Sequence, residues 1–311
     1  MTMSRQGGRC HHRVRDWGLW WIVGPLVASI SSPALAQIPC AVTVDSRQNE
    51  IIVRHNTLEA DEIQTNIELN IINRGETECV GILGTSVNGE QYGLWSTTSP
   101  QVIQYQLIDQ KSRSDITPRG GNSTIRQSLR LIRLQPGESS LELISMVAVP
   151  GGLVSQGQYT QSIDVNFLST EGAVLGSRPI TLGVDVIPAA MIGVKGELAR
   201  ARGTNVVNLG ELKSGVQDLP FTVFVASTGG YRVAVSSENR GRLKHESLPW
   251  FIDYRLRIGQ FDLNLSTSAG FQVVSDRARL DNYPVTIDIG ETQAKRAGAY
   301  RDTVTFTVAA I

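Results

Sequence analysis

The stretch Val304-Thr305-Phe306-Thr307-Val308, near the end of the chain, decides the fold. Apolar and polar side chains alternate in it, and neighbouring side chains of a β-strand point to opposite faces. Val304, Phe306 and Val308 therefore share one face, which we expect to be the core face. Every position holds a β-branched or aromatic residue, the types that strands favour. The stretch predicts a half-buried strand.

Other parts of this 311-residue chain alternate in the same way. They are bounded by turn residues such as Asn73-Arg74-Gly75 and Gln135-Pro136-Gly137. We find no convincing helical period, and short strands at this spacing are typical of sandwiches. The pattern predicts an all-β protein of two tandem Ig-like antiparallel β-sandwich domains. The clearest alternating runs are residues 67–71, 129–134, 221–225 and 231–235.

The two halves of the chain are weak repeats of each other. Tyr105-Gln106-Leu107 in the first half corresponds to Tyr254-Arg255-Leu256 in the second, and Gly157-Gln158-Tyr159 corresponds to Gly298-Ala299-Tyr300. The order and approximate spacing of these features agree, which favours duplication over chance. The least strand-like part begins near Ala190. We therefore predict one domain over residues 37–189 and a second over residues 190–311.

The first 36 residues have the features of a signal peptide. Leu19 to Ile30 is almost wholly apolar, and Ala34-Leu35-Ala36 ends the segment in a small-x-small cleavage pattern. About a dozen apolar residues fall short of the roughly 20 that a membrane-spanning helix needs. We expect cleavage after Ala36 and export of the rest of the chain. The residues before the apolar run carry four arginines against one aspartate, at Arg5, Arg9, Arg13, Arg15 and Asp16.

The net charge bears on the class of partner, and the cysteine content bears on a disulfide. Removing residues 1–36 leaves 25 basic and 28 acidic residues, a net charge of −3. This balance does not suggest a nucleic-acid partner. Two cysteines remain, Cys40 and Cys79. An even pair in an exported protein predicts one disulfide, since the compartment is oxidising.

The sequence lacks the motifs of the common enzyme classes. His55 and His245 have no second histidine at a metal-binding spacing. Residues 84–88 (GTSVN) miss the final glycine of a nucleophile elbow, and the glycines of residues 149–152 (VPGG) fit a hairpin turn rather than a phosphate loop. We therefore expect a protein without catalytic residues, metal or cofactor.

The end of the chain also carries a family resemblance. Residues 298–308 (GAYRDTVTFTV) resemble the G-x-Y-x-D-T-V-x-V-x-V terminal strand of the spore coat protein U family, the pilin-like domains of archaic Csu-type chaperone–usher pili. Residues 254–256 (YRL) are similar to that family's central Y-x-L strand, and Cys40 with Cys79 sits where its disulfide is usually found. The first copy departs from the motif with Gln161-Ser162 in place of Asp-Thr, and the second lacks the cysteine pair.

The two copies differ in the sequence after the terminal strand. In the first copy, strand 162–168 continues through Thr170-Glu171-Gly172 into a further strand candidate, residues 180–186, so we expect a complete sandwich. The second copy ends after strand 303–309, and we expect it to lack a final strand. A missing edge strand leaves unpaired amides beside an apolar groove, which is a template for the strand addition seen in donor-strand complementation. The expected groove residues are Tyr254, Tyr300, Val304, Phe306 and Val308.

This asymmetry, with the resemblance, implies the tip adhesin of a pilus. Only Gln37-Ile38-Pro39 precedes Cys40 in the expected mature chain, so almost nothing is available to donate to a neighbour. The implied partners are a periplasmic pilus chaperone, an outer-membrane usher, a neighbouring pilin subunit that supplies the donor strand, and an unknown surface or receptor. The implied route leads through the periplasm to the cell surface. The alternatives are a secreted coat or matrix protein of the spore coat U type and a minor pilin or adaptor.

A candidate adhesive loop lies in the first domain. Tyr92-Gly93-Leu94-Trp95 is its most apolar stretch among polar loop residues. Exposed aromatic and aliphatic side chains at a loop tip anchor interfaces, so Tyr92, Leu94 and Trp95 are candidates for surface contact. The alternative is that Leu94 and Trp95 belong to the core, because large apolar residues are usually inside.

Overall fold

A computed structural model describes residues 40–59, 62–87, 89, 91–119, 124–196, 198–201 and 204–311. The predicted signal peptide, residues 1–36, lies outside these ranges. Every regular element within them is a β-strand, so the all-β prediction is confirmed. The described residues include no helix long and apolar enough to cross a membrane.

The first sandwich is built from strands between Val42 and Val186. One sheet has the order β1-β3-β10-β7-β8, and the other has the order β2-β12-β11-β4-β9, with β5 beside β11 and β6 beside β5. The strands are β1 (Val42–Ser46), β2 (Glu50–His55), β3 (Ile63–Asn73), β4 (Cys79–Val87), β5 (Leu94–Trp95), β6 (Val102–Ile103), β7 (Tyr105–Asp109), β8 (Ser114–Asp115), β9 (Arg126–Leu134), β10 (Ser139–Ala148), β11 (Gly157–Ser169) and β12 (Val174–Val186).

One pairing in this sandwich differs from the antiparallel prediction. β2 pairs with β12 in parallel, from Glu50 opposite Thr181 to His55 opposite Val186. On its other side β12 pairs antiparallel with β11. A period of two shows which side chains are buried but not the direction of the neighbouring strand. The sequence pattern therefore could not predict the parallel pair.

β12 contributes a row of buried side chains to the core of the first sandwich. Every second residue in the last part of β12 is buried with 1% exposure or less. Burying a Val, Leu or Ile side chain stabilises a fold by about 1.5–3 kcal/mol. β12 therefore supplies a substantial part of the energy that holds this sandwich together. These inward residues are Ile180, Leu182, Val184 and Val186, and they belong to the same buried cluster as Tyr159, Ile163, Val165 and Phe167 of β11.

The second sandwich is built from strands between Ala190 and Ala310. One sheet has the order β13-β16-β22-β19-β18-β23 with β20 beside β19, the other has the order β21-β17-β24, and β14 and β15 form a separate hairpin. The strands are β13 (Ala190–Gly196), β14 (Ala199–Ala201), β15 (Thr204–Val206), β16 (Gly215–Ser227), β17 (Tyr231–Ser237), β18 (Arg242–His245), β19 (Phe251–Ile258), β20 (Phe261–Leu263), β21 (Ala269–Val273), β22 (Arg279–Ile289), β23 (Tyr300–Arg301) and β24 (Val304–Ala310).

The second core is less completely covered than the first. Its centre is fully buried at Val223, Val225, Val233 and Val235. Many apolar side chains that pack against this centre are only half-buried. The predicted boundary between residues 189 and 190 falls at the start of β13, and its role as a domain boundary stays a prediction. The half-buried set includes Ala190, Ile192 and Val194 of β13, Phe221 of β16 and Val304, Phe306 and Val308 of β24.

Candidate strand-acceptor edge

β24 has a ladder partner on one side only. It pairs antiparallel with β17, from Val304 opposite Ser237 to Ala310 opposite Tyr231. Among the strands that the structure describes, none pairs with its other side. We call this unpaired side of β24 the β24 edge. An unpaired edge presents backbone N–H and C=O groups that can pair with an added strand.

The side chains of β24 alternate as the sequence predicts. Val304, Phe306 and Val308 face the second core and are half-buried, whereas Thr305 and Thr307 are exposed. The three inward residues thus lie on one face beside the β24 edge. Their remaining exposure is apolar surface that an added strand would remove from water.

Asp302 holds the start of β24 in place. Its carboxylate accepts hydrogen bonds from the Ser237 hydroxyl at 2.5 Å and from the backbone N–H of Asn239 at 2.9 Å. The Thr303 N–H donates to it at 2.8 Å, and the Tyr254 hydroxyl at 2.5 Å. The carboxylate therefore ties β24 to the end of β17 and to β19.

Tyr254 lies in the core rather than on the surface of the β24 edge. It belongs to β19 and is 6% exposed. Burial, and after it the hydrogen bond to the Asp302 carboxylate, raises the pKa of the Tyr254 hydroxyl well above its usual range. Tyr254 contributes to the site indirectly, because its hydroxyl donates to the Asp302 carboxylate that holds the start of β24.

Tyr300 belongs to the other sheet. β23 pairs with β18, and the Tyr300 ring meets the His245 ring edge-on with 5.1 Å between the centroids. Its hydroxyl donates to the Arg296 carbonyl at 2.7 Å. Gly298, two residues earlier, has φ +151°, and a Cβ there would lie 2.1 Å from His245 Nε2. The glycine and tyrosine of the terminal motif thus serve the packing around His245.

The five predicted groove residues are therefore not equivalent. Val304, Phe306 and Val308 share the face beside the β24 edge, Tyr254 contacts this strand through Asp302, and Tyr300 packs on His245. Their assignment as acceptor residues stays a prediction. Sequence reasoning missed the role of Asp302. The Asp-Thr pair of the terminal motif was the available signal, because a short acidic side chain before a strand often binds nearby backbone N–H groups.

The first sandwich contains the counterpart of the Tyr254–Asp302 bond. The Tyr105 hydroxyl donates to Gln161 Oε1 at 2.7 Å, and both residues are buried. Tyr105 and Gln161 occupy the repeat positions of Tyr254 and Asp302. The departure of the first copy from the family motif thus keeps a hydrogen bond while replacing a carboxylate with an amide.

The candidate adhesive loop is divided between core and surface. Leu94 is fully buried, so the expectation that it contacts an external surface is wrong and the core alternative holds for this residue. β5 joins the sheet beside β11 and β6, and the alternation of this short strand places Leu94 on the core face and Trp95 on the other. Trp95 is 37% exposed and donates its indole N–H to the Gln91 carbonyl at 3.0 Å. The Tyr92 hydroxyl bonds the Tyr105 carbonyl and accepts the Tyr105 N–H at 3.1 Å.

The predicted disulfide is present between Cys40 and Cys79, whose Cα atoms are 5.1 Å apart. It ties the residues before β1 to the first residue of β4 across 39 positions of sequence. The chain-entropy model assigns a closed loop of this length about 4 kcal/mol of stabilisation.

The described residues hold no group of three or more His, Cys, Asp or Glu side chains arranged for a metal ion. His245 has a structural role, since its Nδ1 accepts the backbone N–H groups of Ser247 and Leu248, both at 3.2 Å. His55 lies on β2, and its carbonyl accepts the Ile187 N–H at 3.0 Å.

Comparison with known proteins gives structural similarities only. No family model matches the sequence, and no characterised sequence matches it significantly. The CsuC–CsuE chaperone–tip adhesion subunit complex of Acinetobacter baumannii Csu pili is similar over 86% of this chain and 99% of that one, with 15% identity and TM-score 0.49. The CupB6 tip adhesin of Pseudomonas aeruginosa is similar over 87% and 94%, with 13% identity and TM-score 0.38.

A third similar structure is CfaE, the adhesive subunit of CFA/I fimbria of enterotoxigenic Escherichia coli. It covers 86% of this chain and 94% of its own, with 12% identity and TM-score 0.36. Each of the three structures contains a tip or adhesive subunit, and the similarity covers most of this chain in each case.

Proposed function

We propose that the chain is a non-enzymatic adhesive tip subunit of a chaperone–usher pilus. In this proposal the second sandwich accepts a donor strand at the β24 edge, and the first sandwich contacts a surface or receptor. A periplasmic chaperone, an outer-membrane usher and a neighbouring pilin subunit are the assembly partners. The observation that carries the proposal is the contrast between β24 and its counterpart β11.

β11 and β24 occupy the same place in their sandwiches. β11 lies between β4 and β12, and its inward residues Ile163, Val165 and Phe167 are fully buried. β24 has β17 in the place of β4, and no described strand takes the place of β12. An incoming strand at the β24 edge would give this sandwich the neighbour that the first one already has.

The stabilisation that β12 gives the first sandwich is large enough for the second sandwich to depend on an added strand. The four inward side chains of β12, at about 1.5–3 kcal/mol each, together contribute about 6–12 kcal/mol to the first sandwich. A whole domain is typically stable by only about 5–15 kcal/mol. A sandwich without the equivalent of β12 is therefore marginal alone, and strand addition stabilises it strongly.

The first sandwich is suited to the adhesive role because its own chain supplies β12 beside β11 and because it has a disulfide. It therefore needs no strand from a partner and leaves its loops free for contact. Trp95 is the member of the predicted loop that offers exposed aromatic surface. An exposed, tethered indole is a suitable anchor on an apolar surface.

The test uses the protein of residues 37–311 and a synthetic peptide of residues 178–187, which has the inward pattern of β12. Thermal unfolding is followed with and without the peptide, and a control peptide carries serine at positions 180, 182, 184 and 186. We expect the weaker transition to rise by several degrees with the first peptide only. Co-expression with a periplasmic pilus chaperone should raise the soluble yield.

A second sandwich that unfolds cooperatively, remains monomeric and responds to neither peptide nor chaperone would overturn the proposal. The secreted coat or matrix protein would then be the better interpretation, because that role does not require an incomplete sandwich.

A further inference from the structure

The first sandwich meets the second at the end where β12 leaves it. β12 runs antiparallel to β11, from Val174 opposite Leu168 to Val186 opposite Gly157. Only residues 187–189 separate β12 from β13. We call the end of a sandwich at which β11 or β24 begins its exit end, because β12 leaves the first sandwich there. The strand that fills the first sandwich therefore leads directly into the next sandwich at the exit end.

Two loops of the first sandwich form the contact at this exit end. In the loop before β11, the Gln156 N–H donates to the Thr228 carbonyl of the second sandwich at 2.9 Å. The Ser155 hydroxyl accepts the Ala278 N–H at 2.9 Å. The loop between β5 and β6 supports this segment, since Gln101 Oε1 accepts the Ser155 N–H at 2.9 Å. The β5–β6 hairpin is thus part of the contact between the two sandwiches.

The second sandwich has the same hairpin at its own exit end. In the first sandwich Trp95 of β5 pairs with Val102 of β6 and with β11. In the second, Lys244 of β18 pairs with Phe251 of β19 and with β23, the repeat counterpart of the start of β11. The segments between these paired residues are equally long and are residues 96–101 and 245–250. The repeat therefore extends to the loops at the exit end.

The loop of the second hairpin is held by His245, and its tip is apolar. Nδ1 of His245 accepts the N–H groups of Ser247 and Leu248. The His245 N–H donates to the Trp250 carbonyl at 2.9 Å. Leu248 and Trp250 are nevertheless 39% and 40% exposed. Two large apolar side chains on a backbone that is already ordered are suited to anchor an interface.

The position of this loop relates it to the contact between the sandwiches. Trp250 occupies the repeat position of Gln101, which supports that contact in the first sandwich. Tyr254 lies opposite Ile289, the last residue of β22, so the hairpin extends about 10 Å beyond that strand at about 3.3 Å per residue. β24 begins at the same end, where Asp302 accepts the Tyr254 hydroxyl. The apolar tip therefore lies beside the start of β24.

We propose that Leu248 and Trp250 bury against the folded body of the neighbouring pilin subunit whose strand adds to β24. This inference rests on the proposed function and adds a contact outside the added strand. A strand that runs antiparallel to β24, as β12 runs to β11, leaves at the exit end. The body of its own subunit follows there, as the second sandwich follows β12. The partner surface is the end of a β-sandwich that offers apolar side chains to Leu248 and Trp250.

Cysteine accessibility tests the inference on the protein in the pili of the cells that produce it. Cys40 and Cys79 are joined in a disulfide, so S247C supplies a reactive thiol beside Leu248. We expect this thiol to react with a maleimide at least about tenfold more slowly in pili than in the protein of residues 37–311, with or without the peptide of residues 178–187. S177C is the control, since Ser177 is exposed on β12, and it should react equally fast in all three states.

The outcomes separate this inference from the proposed function. Absence of the protein from the pili would overturn both. Presence of the protein in pili with a fast-reacting S247C would overturn this inference alone. Protection in a complex with a periplasmic chaperone but not in pili would also overturn it, because the chaperone would then be the occupant of the loop.

A double variant gives an independent readout. L248S with W250S removes both anchors, whereas the hydrogen bonds of His245 to this loop involve backbone groups and should remain. We expect unchanged melting and an affinity for the peptide within about twofold, because the peptide has no folded body, but at least about tenfold less protein in pili. V274S is the matched control, since Val274 is 81% exposed after β21, and it should change neither. A double variant that enters pili as well as the control would overturn the inference.

Discussion

The two sandwiches share one plan and differ mainly at one strand. The order β1-β3-β10-β7 of the first corresponds to β13-β16-β22-β19 of the second, and β9-β4-β11 corresponds to β21-β17-β24. The first sandwich adds β12 and β2 beyond β11, whereas the second has neither beyond β24 among the strands described. Duplicated sequences can therefore give one core closed by its own chain and one that leaves an edge unpaired.

The two sandwiches also correspond in one tyrosine hydrogen bond. Tyr105–Gln161 and Tyr254–Asp302 are equivalent hydrogen bonds, but the second uses a carboxylate that also accepts bonds from Ser237 and Asn239. The first sandwich relies on the disulfide and β12, while the second ties its last strand down by a charged group. Substitutions confined to one sandwich at a time separate these contributions.

The largest expected effect is on the first sandwich alone. Replacing both cysteines, C40S with C79S, should lower its free energy of unfolding by about 4 kcal/mol, because the unfolded chain regains the freedom that the crosslink removes. Chemical denaturation with separate probes of the two sandwiches measures the change. Equal destabilisation of the second sandwich would contradict it.

Truncating an inward side chain of β12 tests how much this face contributes to the stability of the first sandwich. L182A should destabilise the first sandwich by about 2–5 kcal/mol, because Leu182 is fully buried and its removal leaves a cavity. S177A is the matched control, since Ser177 is exposed on the same strand and should change the stability by less than about 0.5 kcal/mol. Similar losses in both variants would show that packing of β12 is not what closes this core.

Truncating an inward side chain of β24 should lower the stability by less. F306A should cost about 1–2 kcal/mol in the free protein, below the roughly 3–5 kcal/mol of a fully buried Phe, because Phe306 is half-buried. With the peptide of residues 178–187 bound, the cost should rise towards the full value. T307A serves as control, since Thr307 is exposed. A cost for F306A that does not change on peptide binding would contradict burial of Phe306 by an added strand.

The smallest effect concerns the tyrosine–carboxylate bond. Y254F should lower the stability of the second sandwich by about 1 kcal/mol at neutral pH, through loss of one hydrogen bond. Y105F is the equivalent change in the first sandwich, where the partner is an amide. Urea unfolding curves measure both changes.

Burial of Tyr254, together with its hydrogen bond to Asp302, also predicts a response of the stability to alkali. The pKa of Tyr254 is raised in the folded protein, so above about pH 10 the unfolded chain releases a proton that the folded chain keeps. Through this group the free energy of unfolding should therefore be level from neutral pH to about pH 10 and fall as the pH rises further. Y254F should make this fall shallower, and an unchanged slope would contradict the assignment.

The sequence predicted the strands well where alternation is regular. Val304, Phe306 and Val308 face inward, as expected from their spacing, and Ile180, Leu182, Val184 and Val186 form the predicted further strand of the first sandwich. The Cys40–Cys79 bond followed from composition and compartment. These features depend on local periodicity and residue chemistry, which the chain carries in its order.

Other features could not be predicted from local order. Leu94 looks like a loop residue in sequence but is buried, because β5 joins the sheet beside the distant β11 and its alternation places Leu94 on the core face. Tyr300 lies close to β24 in sequence, yet it packs on His245 of the other sheet. In both cases a contact between distant segments decides where the side chain goes.

By itself the sequence determined the all-β fold, the repeat and the inward face of each regular strand, because a period of two sets which side chains can be buried together. Only the tertiary structure decided the parallel pairing of β2 with β12 and the Asp302 contacts that hold β24. Strand neighbours are chosen by hydrogen bonds and packing between residues far apart in the chain, and periodicity within one segment does not encode them.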